Sequence, residues 1–330
     1  MKREARHYGK ADGGAVRCGL CPHNCVVHEG KSGICGVRIN ENGKLVSAIY
    51  GEVTAIAMDP IEKKPLYHFH PGSEILSIGT KGCNFKCSYC QNWNISQDAN
   101  AGSRNYSPEE IVAAAEKHDS VGIAYTYSEP MIWFEFVMDC AKLARARGLK
   151  NVLVTNGFVN PAPLEELLEF TDAMNIDLKN FREETHRKVQ KGHLADVLRT
   201  IETSRSRCHV ELTTLVVTGI NDNLEEMREI IDWISAQDRN IPWHVSRYYP
   251  SYRYDAPATD VNFVVQVCDL AKQKLDHVYC GNISGSYGWS DTSCPKCGAV
   301  VIRRSGYSTR VTGLDGGRCA KCGNDLKIPR

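Results

Sequence analysis

Cys83-Asn84-Phe85-Lys86-Cys87-Ser88-Tyr89-Cys90 places three thiols within eight residues at the spacing C-x3-C-x2-C. Three close thiolates are too many for one disulfide and one short of a tetrahedral cage. Iron–sulfur clusters are normally held by four cysteines. A cubane held by three keeps one iron open, and an open metal position is where a substrate binds. The competing reading is a structural zinc loop that borrows a fourth Cys from elsewhere.

The chain around this triplet alternates strand and helix patterns, as parallel β/α folds do. Apolar strand candidates are 75–79, 122–125, 151–154, 173–178, 210–215, 242–246 and 277–280. Ser107-Pro108-Glu109-Glu110 supplies a capping Ser, a Pro at the first helical position and a capping-box Glu for a helix over 111–117. Further helical patterns cover 131–147, 163–170, 194–204, 224–237 and 261–274. The span is short of the ~250 residues of a complete eight-unit barrel, so a partial, open (β/α)6 barrel is expected. Chemistry in such folds sits at the carboxyl ends of the strands. The triplet follows the first strand at once and so lands on that face.

The 330 residues carry a net charge of +1, with 42% hydrophobic and 24% charged residues. That is ordinary for a globular protein and no electrostatic magnet for nucleic acid or anionic membrane. The start, Met1-Lys-Arg-Glu-Ala-Arg, leads into no apolar stretch, and no run of about 18 apolar residues occurs. The expectation is a cytoplasmic protein without membrane partners, in which fifteen cysteines mean metal binding rather than disulfides. Cys140, Cys208, Cys268 and Cys280 stand alone and read as small buried hydrophobes.

The other cysteines form two terminal quartets. Cys294-Pro-Lys-Cys297-Gly and Cys319-Ala-Lys-Cys322-Gly are two C-x2-C-Gly knuckles at zinc-ribbon spacing. This ribbon carries Lys296, Arg303, Arg304, Arg310, Arg318, Lys321, Lys327 and Arg330 against Asp315 and Asp325, a balance of +6. It is a solvated face or a route to nucleic acid or an acidic partner. Four thiolates would saturate zinc, so the ribbon reads as a folding element outside the chemistry; the alternative is that it packs on the barrel and holds up the last strand near Cys280. Cys18, Cys21, Cys25 and Cys35 fit zinc or a second cubane cluster, with zinc slightly favoured and His23 a spare ligand. The expected domains are a Cys-rich extension over 1–74, the barrel over 75–285 and the ribbon over 290–330.

The triplet, with an aromatic residue before its third Cys, resembles the cluster signature of the radical S-adenosylmethionine (SAM) superfamily. The segments Tyr125-Thr-Tyr-Ser-Glu-Pro130, Thr155-Asn-Gly-Phe158, Ile176-Asp-Leu-Lys179 and Val216-Val-Thr-Gly219 resemble its glycyl-radical-enzyme activase branch, typified by pyruvate formate-lyase activating enzyme. Four further stretches look like the radical SAM member of the AmmeMemoRadiSam set. They are Cys18-Gly-Leu-Cys-Pro-His-Asn-Cys25, Asp59-Pro-Ile-Glu-Lys-Lys-Pro-Leu-Tyr-His-Phe-His70, Trp243-His-Val-Ser-Arg247 and the terminal Cys pairs. The resemblance implies a [4Fe–4S] cluster on Cys83, Cys87 and Cys90 whose open iron chelates SAM. Reductive cleavage would give a 5′-deoxyadenosyl radical that abstracts hydrogen from a protein substrate. It also implies an electron donor of the reduced flavodoxin or ferredoxin type. Alternatives are radical modification of another protein, RNA or small molecule, or a non-catalytic zinc-bearing nucleic-acid-binding or scaffold module.

The resemblance also nominates cofactor contacts. Tyr89 lies within the signature. Glu129 stands where related enzymes have Gly-Gly-Glu holding the SAM amino group; here Tyr127-Ser128 replace the glycines, and Glu129-Pro130 would also cap a helix. Thr155 and Asn156 end the third strand, where Val154 replaces an acid common in the activases. Asp177 and Lys179 end the fourth and share a face by period two; they contact SAM or a monovalent cation, or form a simple ion pair. Thr213 and His244 on the next two strands complete the set, although a strand histidine is more often a packed, hydrogen-bonded residue.

Overall fold

The computed structural model describes residues 2–283 and 288–329. Its centre is an eight-stranded sheet in chain order. Strand β1 (Ala55–Pro60) pairs antiparallel with β2 (Glu74–Gly79). From β2 onward the strands are parallel: β3 (Gly122–Tyr125), β4 (Lys150–Thr155), β5 (Ala173–Asp177), β6 (His209–Val216), β7 (Trp243–Arg247) and β8 (Val278–Gly281). The connections carry helices α1 (Pro108–Lys117), α2 (Phe134–Ala146), α3 (Pro161–Leu168), α4 (Leu194–Ser204), α5 (Leu224–Gln237) and α6 (Val261–Ala271). β1 and β8 do not pair, so this is the open barrel expected, six crossover units and a closing strand. Helix α1 starts on the expected box: Ser107 Oγ accepts from Glu110 N (3.2 Å) and Ser107 N donates to Glu110 Oε2 (2.6 Å).

One expected boundary falls inside the sheet. The sheet begins at Ala55, so a cut at 74/75 would split the β1–β2 hairpin. The expected barrel end at 285, like Arg330 of the ribbon, lies outside the described residues. Ahead of the barrel, two small antiparallel sheets form the Cys-rich lobe, one of Arg3–Glu4, Lys44–Ser47 and Arg38–Glu41, the other of Tyr8–Lys10, Val16–Cys18 and Val26–Val27. Val16, Leu20, Val27 and Leu45 are buried in the same core as barrel residues Phe158, Val197 and Ile201.

The segment after β1 fills the gap that the open sheet leaves. Pro65 O accepts from Asn175 Nδ2 on β5 (2.8 Å), and Tyr67 N and His68 N donate to Glu211 of β6 (3.0 and 2.7 Å). His68 Nε2 meets Tyr279 OH on the far edge strand β8 (2.5 Å). The 59–70 run noted for its resemblance is thus an internal plug bridging both open edges. Its backbone polar groups are satisfied by buried side chains, as burial requires.

The ribbon anchors this plug. It has a small core of its own (Val301, Ile302, Leu314, Leu326, Ile328 and two cysteines), yet it is no detached module. Arg304 reaches inward with a fully buried side chain, donates to Tyr67 O (2.7 Å) and Thr292 Oγ1 (2.8 Å), lies 4.2 Å over the Tyr67 ring and is 3.6 Å from Glu62. Thr292 in turn meets Tyr279 OH (2.9 Å), and Cys280 N donates to Trp289 O. The packed alternative holds: the tail supports the last strand, and one of its arginines is withdrawn from the solvated basic face.

Candidate active site

Cys83, Cys87 and Cys90 follow β2 at the carboxyl edge of the sheet, and all three line a cavity of ≈ 550 Å³. Phe85 N donates to Cys83 Sγ (3.3 Å), Asn156 Nδ2 lies 3.7 Å from the same sulfur, and Ser96 Oγ lies 3.2 Å from Cys90 Sγ. Burial pushes the Cys87 thiol up to about 11 and Cys83 well above its ordinary value. Buried thiols of this kind become thiolates by binding metal. Convergent sulfurs, N–H donors aimed at them and an adjoining cavity fit an iron–sulfur cluster with an open side.

Of the nominated contacts, all but Thr155 line the same cavity, and Thr155 bonds to the lining Glu129. Tyr89 is buried, its hydroxyl accepting from Gln190 Nε2 (2.7 Å). Glu129 is 1% exposed and accepts three hydrogen bonds, from Met131 N (3.0 Å), Thr155 Oγ1 (2.7 Å) and Asn156 N (2.9 Å). It therefore caps the turn after β3 and also fixes the end of β4. Burial raises its carboxyl to about 7, against the pull of the Asn156 amide, the Thr155 hydroxyl and the Met131 amide. Asn156 Nδ2 donates to Asn84 Oδ1 (2.8 Å), tying β4 to the cluster loop. Lys179 Nζ donates to Asp177 Oδ2 (2.9 Å), the pair that period two anticipates. Thr213 Oγ1 donates to Asn175 Oδ1 (2.9 Å), and His244 Nε2 binds Glu211 Oε2 (2.6 Å). The histidine is a hydrogen-bonded wall residue. Val154, in the place of an acid, also lines the cavity.

Tyr127 shows how the departure from glycine is accommodated. Its φ is 68°, the left-handed backbone that glycine would supply. Its hydroxyl donates to Asp59 Oδ2, and Lys64 Nζ donates to the same oxygen (2.6 Å) while lying 4.7 Å over the ring. The plug is thereby fastened to the end of β3. Burial lowers Lys64 to about 8, with Asp59 opposing.

The sequence reading missed Asn84, Asp59, Lys64, Asn175 and Tyr307. Lys63, Lys64, Tyr67 and Tyr307 also line the cavity. Only the quoted 59–70 run hinted at this wall, and nothing in the ribbon's spacing pointed to Tyr307.

The terminal quartets differ. Among the described residues, only Cys294, Cys297, Cys319 and Cys322 bring their ligand atoms within 4.8 Å of one another. The N-terminal thiols lie near each other but less tightly, with Cys18, Cys35 and Cys25 all acting on Cys21. The spare candidate His23 has its Nε2 engaged by Asn84 O (2.8 Å).

An open parallel barrel with three thiols converging at its carboxyl edge is the architecture of a cluster-dependent enzyme. The Radical SAM superfamily profile matches residues 77–234. An uncharacterised protein of Methanocaldococcus jannaschii is 40% identical over 334 residues, 99% of each chain. The pyruvate formate-lyase-activating enzyme of Clostridium pasteurianum is 24% identical over 166 residues, 47% of this chain and 66% of its own. A solved domain of a pyruvate-formate lyase-activating enzyme from Bacteroides vulgatus overlays with a TM-score of 0.42 at 14% identity, covering 49% of this chain and 99% of that one. Residues 77–234 thus form a radical SAM domain. Such a domain implies a [4Fe–4S] cluster and SAM. No helix among the described residues is long and apolar enough to cross a membrane.

Proposed function

We propose that the protein is a radical SAM enzyme whose substrate is another protein, in the manner of the glycyl-radical activases. When bound, the cluster and SAM supply a carbon-centred radical; this chain's residues position both and exclude water. Cys83, Cys87 and Cys90 would hold the cluster. Glu129, through Thr155 and Asn156, would shape the SAM amino pocket, with Asp177 and Lys179 near its carboxylate. Tyr89, Thr213 and His244 would line the rest. The ribbon quartet would hold structural zinc. The 59–70 plug and both quartets support placing the chain with the radical SAM member of the AmmeMemoRadiSam set.

The observation that carries a protein substrate is the rim. Among the described residues, the exposed large hydrophobic side chains include three aromatics, Trp93, Tyr249 and Tyr307, and all three stand at this cavity. Tyr307 lines it, Trp93 follows lining residues Gln91 and Asn92, and Tyr249 OH donates to lining residue Asn282 (3.0 Å). Arg247 and Arg253 lie over Tyr249 and Tyr252 at 4.8 and 4.9 Å. Exposed Trp, Tyr and Arg are the side chains that anchor protein interfaces. A cavity of ≈ 550 Å³ holding SAM leaves room for one reactive segment rather than a whole substrate.

The test is anaerobic reconstitution with iron and sulfide, then reduced flavodoxin and SAM, assayed for 5′-deoxyadenosine. A partner that co-purifies is then deuterated, and deuterium should appear in the 5′-deoxyadenosine. A cluster-loaded protein that leaves SAM intact would sink the enzymatic reading. Deuterium transfer only from small molecules would sink the protein substrate.

A further inference from the structure

Cys18, Cys21, Cys25 and Cys35 have no part in that chemistry, yet they are built into the wall beside it. Cys18 ends the strand Val16–Cys18, and its N–H donates to Cys25 O (2.9 Å). Gly33 packs between two of the thiols: a Cβ there would lie 3.5 Å from Cys25 Sγ and 3.9 Å from Cys35 Sγ. The spacing of the four sulfurs bears on which metal they would suit.

Tetrahedral zinc with Zn–S of about 2.3 Å sets its sulfurs roughly 3.8 Å apart. The ribbon meets this, with Cys294–Cys322 and Cys297–Cys319 sulfurs at 3.6 and 3.7 Å. In the N-terminal set no three sulfurs come within 4.8 Å of one another. Cys83, Cys87 and Cys90 share that wider arrangement. A cubane requires it, because iron and sulfide stand between neighbouring thiolates.

A second observation points the same way. Arg38 is 1% exposed and close enough to Cys18 and Cys35 to feel both. Its Nη1 is taken by Glu135 (3.0 and 3.1 Å) and its Nη2 by Arg6 O (2.6 Å), but its Nε has no partner. A buried orphan donor costs about 1–3 kcal/mol. A cluster's sulfide or thiolate sulfurs would accept from it, and such hydrogen bonds are one of the levers that set cluster potentials.

The third observation is position. Gly82, the residue before Cys83, has φ 91°, and a Cβ on it would fall 2.9 Å from Cys35 O. Only glycine lets the two cysteine loops pack so closely. His23 and Asn84 join them again one residue further on.

We propose that Cys18, Cys21, Cys25 and Cys35 hold a second four-iron cluster, which delivers electrons to the cluster on Cys83, Cys87 and Cys90. Four thiolates leave no open iron, so this cluster carries electrons and binds no substrate. One electron leaves a reduced ferredoxin- or flavodoxin-type donor, which is oxidised. It reduces the quartet cluster, which is reoxidised as the electron moves on, and it is consumed when a carbon–sulfur bond of SAM breaks. The delivery role rests on the proposed SAM chemistry; the identity of the metal does not.

The full chain with Cys83→Ala, Cys87→Ala and Cys90→Ala is reconstituted anaerobically and analysed for iron and zinc, with Mössbauer spectra. About four iron and one zinc per chain, with a four-iron spectrum, is the expected result. About two zinc and no iron, or no metal beyond the ribbon's, overturns the proposal. If the triple variant does not fold, the unsubstituted chain answers the same question. It should hold about eight iron and one zinc, whereas about four iron and two zinc overturns the cluster. These counts stand whether or not SAM is cleaved. For delivery, Cys21→Ser with Cys35→Ser should slow reduction of the remaining cluster by reduced flavodoxin severalfold while leaving reduction by dithionite unchanged. Equal rates overturn that role. Should this pair not fold, electron paramagnetic resonance of the fully reduced native protein should show two magnetically coupled clusters, and two isolated signals overturn it.

Discussion

The two ends of the chain each carry four cysteines and meet the barrel in different ways. The C-terminal ribbon closes its thiols tightly, keeps a small core of its own and touches the barrel chiefly through the buried Arg304 and the Thr292–Tyr279 contact. The N-terminal lobe spreads its thiols wider and shares the main core, with its loops against Gly82 and Asn84. Ligand count is the same; the backbone that carries the ligands differs. In the ribbon, two C-x2-C knuckles oppose one another across short strands. In the lobe, only Cys18 and Cys21 have that spacing, and the other two arrive on separate turns. On the proposal above, that spacing separates the two metals, while position is plain: one end props the plug, the other packs beside Gly82 and Asn84.

The sharpest way to test this division is to remove the central triplet. Cys83→Ala, Cys87→Ala and Cys90→Ala together should abolish 5′-deoxyadenosine formation while the zinc proposed for the ribbon stays bound. Retained SAM cleavage would show that one of the terminal quartets does the chemistry, and the contrast between ends and centre would collapse.

Next in size is the ribbon's anchor. Arg304→Met leaves Glu62 buried without its cation, and breaking a buried pair from one side costs about 3–5 kcal/mol. Chelating the zinc proposed for the ribbon should have a comparable effect, since binding of such a metal is folding free energy. Denaturant unfolding of the variant, read alongside SAM cleavage at equal cluster content, checks both. A change under 1 kcal/mol would make the ribbon the independent module that its spacing suggested.

A smaller effect separates the two ends by pH. His277 packs against His68 (ring centroids 4.3 Å) beneath the plug, and burial lowers its pKa to about 4, with Asp276 and Glu211 opposing. The folded state then binds fewer protons than the unfolded state between about pH 4 and 6.5. Its contribution is complete above about 6.5 and is lost as pH falls toward 4, on the order of 3 kcal/mol in all. Hydrogen exchange should show plug and ribbon peptides losing protection before lobe peptides do, and His277→Phe should flatten the dependence. Equal loss at both ends would break the comparison.

The smallest effect expected is at Tyr307. Tyr307→Ala should leave uncoupled SAM cleavage within about twofold, because a surface substitution of this kind shifts stability by under about 0.5 kcal/mol. It should raise the KM for the protein substrate, measured by deuterium transfer. A fall in kcat with KM unchanged would move Tyr307 from docking to the reaction itself.

Much of this was legible in the residues. Short apolar runs, the Ser107 capping box and helices such as Leu194–Ser204 and Leu224–Gln237 are local signals, and the structure follows them closely. The cluster loop and the ribbon declare themselves by spacing, because ligands on one short turn are neighbours in any fold. The Asp177–Lys179 pair follows from strand geometry alone. What the sequence by itself determined, then, is whatever depends on residues within a turn or two of each other. The tertiary structure alone decided the rest. It set the 59–70 run across the barrel's open side, sent Arg304 into Tyr67 and Glu62, turned Glu129 onto Thr155 and Asn156, and packed Cys35 against Gly82. Each of these joins residues far apart in the chain. Their partners are chosen by which buried polar groups remain unsatisfied once the sheet has formed, and local spacing carries no record of that choice.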